Sequence, residues 1–367
     1  DERSELTNVP DGDDTAAMLA GLRDLGITID AVGDRVTVMG SGPDWPAVTL
    51  HAGLAGTTSR FLTAVAALGR RPVTIDGDAP LRQRPFGPLH DALVQLGAEV
   101  VTGAGPGRLP ATVRGPLTGR SVRVRGDVSS QYISALMMVG PLLSNGLTIE
   151  LTSELVSVPY VELTASVMAW FGVVGVEVGA RTIVVPEGRY RPSRLVVEPD
   201  ASSAGYPLAL AAVVGGRVRV PGLGLGALQG DARFAELLGA MGCGVTRTTA
   251  ATTIESGATL RGIDVDMADI SDLVPTVAVV AAFAASPTRI RGVGFIRAKE
   301  SDRLGDLARE LRALGAHIEE TDDGLDIRPS GDHLHGGEVR THHDHRLAMA
   351  FAVLGSRIPG VDIREPD

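Results

Sequence analysis

Runs of apolar residues at helical spacing end repeatedly on a glycine in this chain. The segments are Leu22-Arg23-Asp24-Leu25-Gly26, Leu93-Val94-Gln95-Leu96-Gly97, Met168-Ala169-Trp170-Phe171-Gly172, Leu238-Gly239-Ala240-Met241-Gly242 and Leu311-Arg312-Ala313-Leu314-Gly315. Each reads as the last turn of a helix, with glycine able to adopt the left-handed conformation that closes it. A single glycine of this kind is an ordinary cap. These five are separated by 71, 75, 70 and 73 residues, and that spacing predicts an internal repeat.

A second series runs in the opposite phase. Thr58, Ser130, Ser202, Asp272 and Asp344 each precede an apolar helical run, at steps of 72, 72, 70 and 72. Their hydroxyls and carboxylates suit helix starts, where backbone N–H groups lack partners. A repeat therefore holds two helices, with short strands between them such as 181–185 and 195–197. The two series do not finish together, because stepping back from Thr58 passes residue 1 and stepping on from Gly315 passes residue 367. The expectation is six units, with half a unit outside these residues at each end, since unpaired half-units expose apolar faces.

Composition narrows the class. A length of 367 residues exceeds one ordinary core and predicts two domains. Hydrophobic residues make up 44% and glycines number 46, which fits an α/β protein with many tight turns. Aromatic residues are only 4%, too few for a base-stacking surface, and the net charge of −10 disfavours nucleic acid or an anionic membrane as partner. One cysteine, Cys243, permits no internal disulfide and suits a reducing compartment. With neither a signal-peptide pattern nor an apolar run of spanning length, the expected location is the cytoplasm.

The polar motifs gather at helix starts. Ala55-Gly56-Thr57-Thr58-Ser59-Arg60, Ser129-Ser130-Gln131, Asp200-Ala201-Ser202-Ser203, Asp272 and Asp344-His345-Arg346 belong to one phase. Arg82-Gln83-Arg84-Pro85, Ser157-Val158-Pro159-Tyr160, Gln229-Gly230-Asp231 and Lys299-Glu300-Ser301-Asp302-Arg303 belong to the other. Capping alone accounts for the serines and aspartates. It does not account for Arg60, Arg84, Arg303 and Arg346, because the helix dipole disfavours cations at an N-terminus. A ligand carrying several negative charges would supply the missing counter-charge. Of the 34 lysine and arginine residues only Lys299 is lysine, and the alternative to a chemical role is a solvated charge run at a helix start. His333, His335, His342, His343 and His345 cluster in sequence, but without a matching thiol or carboxylate pattern no metal is expected.

Ser129-Ser130-Gln131, Lys299-Glu300-Ser301-Asp302-Arg303-Leu304 and Asp344-His345-Arg346-Leu347-Ala348-Met349, in that order, resemble the 5-enolpyruvylshikimate-3-phosphate synthase family of enolpyruvyl transferases. Leu81-Arg82-Gln83-Arg84-Pro85 and Glu198-Pro199-Asp200-Ala201-Ser202-Ser203 extend the likeness along the chain. The resemblance implies an α/β fold of two domains, 1–199 and 200–367. Each would hold three βαβαββ-type units in an inside-out α/β barrel, with the active site in the cleft between domains. It implies a monomer that needs no cofactor and joins shikimate 3-phosphate to phosphoenolpyruvate with release of phosphate.

By the same resemblance, Ser129, Ser130, Gln131, Ser157 and Tyr160 would hold shikimate 3-phosphate. Asp272 would orient or deprotonate its 5-hydroxyl, with Lys299 against the sugar hydroxyls. Glu300 would shuttle the proton at the methylene. Gly56, Arg84, Arg303 and Arg346 would grip phosphoenolpyruvate, and His345 would help phosphate leave. Two positions depart from the family pattern: Leu54 and Phe295 stand where many members have asparagine. The sister enzyme acting on UDP-N-acetylglucosamine carries a cysteine where this chain has Ala79, which argues against it. A non-catalytic or repurposed anion-binding relative is the reading from another class.

Overall fold

The computed structural model describes residues 3–257 and 259–365. The chain divides into two compact units, Asp1–Val197 and Glu198–Asp367. Among the described residues the strands form six sheets, three in each unit.

One pairing scheme recurs. Val48–His51 runs parallel to Val73–Asp76, which pairs antiparallel with Ala111–Arg114, which pairs antiparallel with Glu99–Thr102. Ser121–Val124 with Leu147–Leu151, Thr182–Val185 and Glu177–Val178 repeats it. So does Asp264–Asp266 with Thr288–Arg291, Leu325–Arg328 and His317–Glu320. The first strand, Arg3–Thr7, completes a fourth copy with Arg194–Val196, Arg35–Met39 and Thr28–Val32, so the two ends of the first unit meet in one sheet. The remaining sheets are the antiparallel trio Gly216–Pro221, Ala251–Ser256 and Gly244–Arg247, and the parallel pair Gly337–Arg340 and Val361–Arg364. The repeat expected from cap spacing is present as a repeated sheet topology.

Strands such as Thr182–Val185 and Thr288–Arg291 alternate buried and exposed positions, so each sheet turns one face to the core and one to solvent. The helices of the first phase fill the interior. Every residue of Val274–Ala282 is buried, and Ser130–Val139 and Ala201–Val214 are buried over most of their length. Their sequences are apolar all round, as a helix enclosed on every side requires. Helix Gly305–Ala313 is amphipathic instead, burying Leu307, Ala308 and Leu311 and exposing Arg309 and Arg312.

The five cap glycines all take positive φ, from 85° at Gly315 to 107° at Gly242. The helix starts are less regular than their spacing predicts. Thr58 lies two residues inside helix Gly56–Ala66, whose cap is Ala55. Asp272 lies in the 3-10 turn Ala268–Leu273 that leads into Val274–Ala282. In the second phase Arg84 ends the short helix Ala79–Gln83, and the next helix opens at Gly87. Asp200, Ser129 and Asp344 do cap, each accepting a first-turn backbone N–H through its side chain.

Candidate active site

In the first unit, helix Gly56–Ala66 opens without a side-chain cap, and the Arg84 guanidinium lies against Gly56 so closely that a Cβ there would collide with it. Unsatisfied first-turn N–H groups beside a guanidinium make an anion-binding pair. Leu54, half exposed, stands on the turn just before it. Arg60, one turn into the helix and 3% exposed, answers its charge differently. It lies 5.2 Å from the ring centres of both Phe86 and Tyr132, and it donates to Gln131 Oε1 and to the Pro85 carbonyl. Aromatic faces attract cations, so the two rings help to hold the Arg60 guanidinium in place.

Gln131 also donates to Thr57 Oγ1 at 2.8 Å, which ties the Ser129-Ser130-Gln131 segment to the start of helix Gly56–Ala66. Ser129 caps helix Ser130–Val139, with Ser129 and Ser130 both buried. Ser157, at the start of helix Val158–Trp170, is buried and left-handed at φ 55°. A serine held in that region costs about 1–3 kcal/mol, a strain that clusters at functional sites. Its carbonyl accepts the Tyr160 N–H at 3.1 Å.

In the second unit the charges are paired with one another. Arg303, 1% exposed, donates Nε to Asp344 Oδ2 at 2.6 Å, Nη1 to Asp272 Oδ1 at 2.9 Å, and Nη2 to Glu300 Oε2 at 2.6 Å and Asp344 Oδ1 at 3.3 Å. Those four bonds engage four of the five guanidinium N–H groups. Arg346 Nη2 donates to the other Asp272 oxygen at 2.8 Å, and Lys299 Nζ lies 4.0 Å from Asp272 Oδ1. Asp344 is fully buried, and accepts also from Ser301 Oγ and the Arg346 N–H. Left-handed backbone at His342 and His343 turns the chain into this position.

Burial alone raises the pKa of Asp272, but Arg346, Lys299 and Arg303 outweigh it and hold the carboxyl well below the usual carboxylate range. His345 is shifted down, first by burial and then by Arg346, which favours its neutral imidazole. Tyr206, buried in helix Ala201–Val214, has its hydroxyl pushed up, first by burial, while Arg346 beside it pulls the other way.

The second unit thus brings together Asp272, Lys299, Glu300, Arg303, His345 and Arg346. The first unit brings Gly56 to Arg84 and ties Gln131 to the same helix start. Sequence reasoning treated Asp344 as a cap and missed its larger role as the doubly bonded partner of Arg303. It also missed Tyr206, which carries no signal in a helix that reads as plain core. Of the arginines at helix starts, Arg303 and Arg346 have carboxylate partners within the second unit, and Arg60 lies against two aromatic rings. Among the described residues no group of three or more His, Cys, Asp or Glu is arranged to hold a metal. The clustered histidines disperse, His342 to Glu310 at 2.9 Å and His335 to the Gly336 carbonyl at 2.8 Å. Among the described residues no helix is long and apolar enough to cross a membrane.

The family profile described as EPSP synthase (3-phosphoshikimate 1-carboxyvinyltransferase) matches residues 1–367. The 3-phosphoshikimate 1-carboxyvinyltransferase of Methanoculleus marisnigri is 42% identical over 358 residues, covering 96% of this chain and 84% of that protein. That of Nostoc punctiforme is 39% identical over 369 residues, covering 99% and 86%. The EPSP synthase structure from Acinetobacter baumannii superposes with a TM-score of 0.82 at 27% identity, over 100% of this chain and 86% of that one. The enolpyruvyl transferase NikO from Streptomyces tendae shares the fold, with a TM-score of 0.75 at 20% identity over 99% of this chain and 85% of that one. A match across all 367 residues, at this identity and with the same fold, means that the chain belongs to the EPSP synthase (3-phosphoshikimate 1-carboxyvinyltransferase) family.

Proposed function

We propose that the residues of the two clusters carry the family reaction in the following roles. The enzyme transfers the enolpyruvyl group of phosphoenolpyruvate to the 5-hydroxyl of shikimate 3-phosphate and releases phosphate, on the route to chorismate and the aromatic amino acids. The 5-hydroxyl oxygen bonds to the enol carbon and loses its proton, while the methylene gains one. The tetrahedral intermediate then breaks its bond to phosphate, and the new methyl returns a proton.

Ser129, Ser130, Gln131, Ser157 and Tyr160 hold shikimate 3-phosphate. Gly56 N–H and Arg84 take an anionic group of phosphoenolpyruvate, a role supported by the uncapped helix start beside the guanidinium. Arg346 and Arg303 meet its other charge. Asp272 orients the 5-hydroxyl and does not take its proton, because a carboxylate stabilised by three cations is a poor base. Lys299 lies by the proton in transit, and Glu300, held by Arg303, exchanges it with the methylene. His345, its neutral form favoured by burial, donates a hydrogen bond to the departing phosphate.

The observation that carries this reading is the Asp272 carboxylate held at once by Arg303, Arg346 and Lys299. Family membership sets aside UDP-N-acetylglucosamine as acceptor. Mixing the chain with both substrates should release inorganic phosphate only when both are present. Binding of shikimate 3-phosphate without phosphate release would favour the non-catalytic reading.

A further inference from the structure

The 3-10 turn Gly294–Ala298 carries Phe295, and Lys299 is the residue that ends it. The Lys299 ammonium lies 5.9 Å from the centre of the Phe295 ring and 4.0 Å from Asp272 Oδ1. An aromatic face and a carboxylate therefore act on one ammonium. The turn that sets this geometry is fastened from several sides. The Val293 N–H donates to the Asp323 carbonyl at 2.7 Å. Arg297 Nη1 pairs with Asp302 at 3.1 Å and Glu320 at 3.0 Å, and its Nη2 donates to the Thr321 carbonyl at 3.0 Å. Phe295 itself packs against the core of the second unit. A ring on a fastened turn is a fixed surface, whereas lysine is a point charge on a flexible stem that water competes to solvate.

We propose that Phe295 is a positioning residue for Lys299. Its ring holds the ammonium against Asp272 and governs turnover through that lysine, without touching substrate itself. The attraction of an ammonium to a ring face within about 6 Å supplies the force, and the ring shields one side of the charge from water. The proposal rests on the roles given above to Lys299 and Asp272.

Lys299 is the only lysine in the 367 residues, so labelling lysine with ¹³C at the ε carbon gives one NMR signal that needs no assignment. The ε protons are expected upfield of an ordinary lysine because of the ring current. Phe295→Leu, which keeps an apolar side chain and removes the ring, should return them to the ordinary position, and Phe295→Trp should keep them upfield. In turnover, Phe295→Leu should lower kcat by about three- to tenfold while Phe295→Trp stays near the parent. In a Lys299→Met background, Phe295→Leu should cost nothing further, since its effect passes through the lysine. A lysine signal unmoved by Phe295→Leu overturns the proposal, as does an equal loss in the Lys299→Met background. Absence of turnover in the parent chain, with the signal shifting as described, sinks the assigned reaction and supports the pairing.

Discussion

Arg303 holds the second cluster in shape. It is buried and forks to Asp344, Asp272 and Glu300, two of which lie 41 and 31 residues away. Removing one member of a buried ion network leaves the others charged and unpaired, at a cost of about 3–5 kcal/mol. Arg303→Met should lower stability by that amount in urea unfolding, and a loss below about 1 kcal/mol would mean that water replaces the guanidinium. Glu300→Gln probes chemistry instead, because the amide keeps the shape and an oxygen for Arg303 but carries no exchangeable acid proton. Its kcat should fall by about 10²–10⁴-fold with little change in shikimate 3-phosphate affinity, and equal losses in both would contradict the shuttle role. At this scale the sequence marked Arg303 as a cation in an unfavourable place. Its counter-charges were not visible, because only the fold brings Asp272 and Asp344 to it.

Helix ends were legible where the signal is local. Gly26 and Gly315 both close helices with positive φ, 89° and 85°. A Cβ on Gly26 would meet nothing within 4 Å, whereas on Gly315 it would run into the His333 carbonyl oxygen. Gly26→Ala should therefore cost only the backbone strain, about 1–2 kcal/mol, and Gly315→Ala clearly more. Thermal or urea unfolding of the two variants checks the order, and equal losses would show that the neighbouring loop yields. Helix starts were read less well. Ala55 and Leu273 precede helices without offering a side-chain cap, and the 3-10 turn Ala268–Leu273 moves Asp272 off the start of its helix. Neither feature leaves a periodic trace, because six residues of 3-10 helix are fewer than the pattern used to detect a helix.

Acid should weaken the first unit through one buried histidine. There His90 is buried against Phe86, and among the described residues neither ring nitrogen has a hydrogen-bond partner. Burial, slightly opposed by Asp91, lowers its pKa from 6.5 to about 4. The unfolded chain then takes up a proton that the folded one refuses, so its contribution is fully present above pH 6.5 and is lost as pH falls toward 4. The loss is on the order of 3 kcal/mol. In the second unit His345, also shifted down by burial, works in the same direction, while the depressed Asp272 loses its contribution only below the usual carboxylate pKa of 3.8. Hydrogen exchange should show the first unit weakening as pH falls from 6.5 to 4, and His90→Leu should flatten that slope. A slope unchanged in the variant would assign it to other groups.

By itself the sequence determined the repeat, the closing turns of its helices and the family, because capping glycines and motif strings act over a few residues. Tertiary structure alone decided how the charges are answered: Arg60 by two rings, Arg303 and Arg346 by carboxylates, Lys299 by Phe295 and Asp272. The reason is physical. A buried charge must be met by whatever lies within a few ångströms in space, and spacing along the chain does not specify those neighbours.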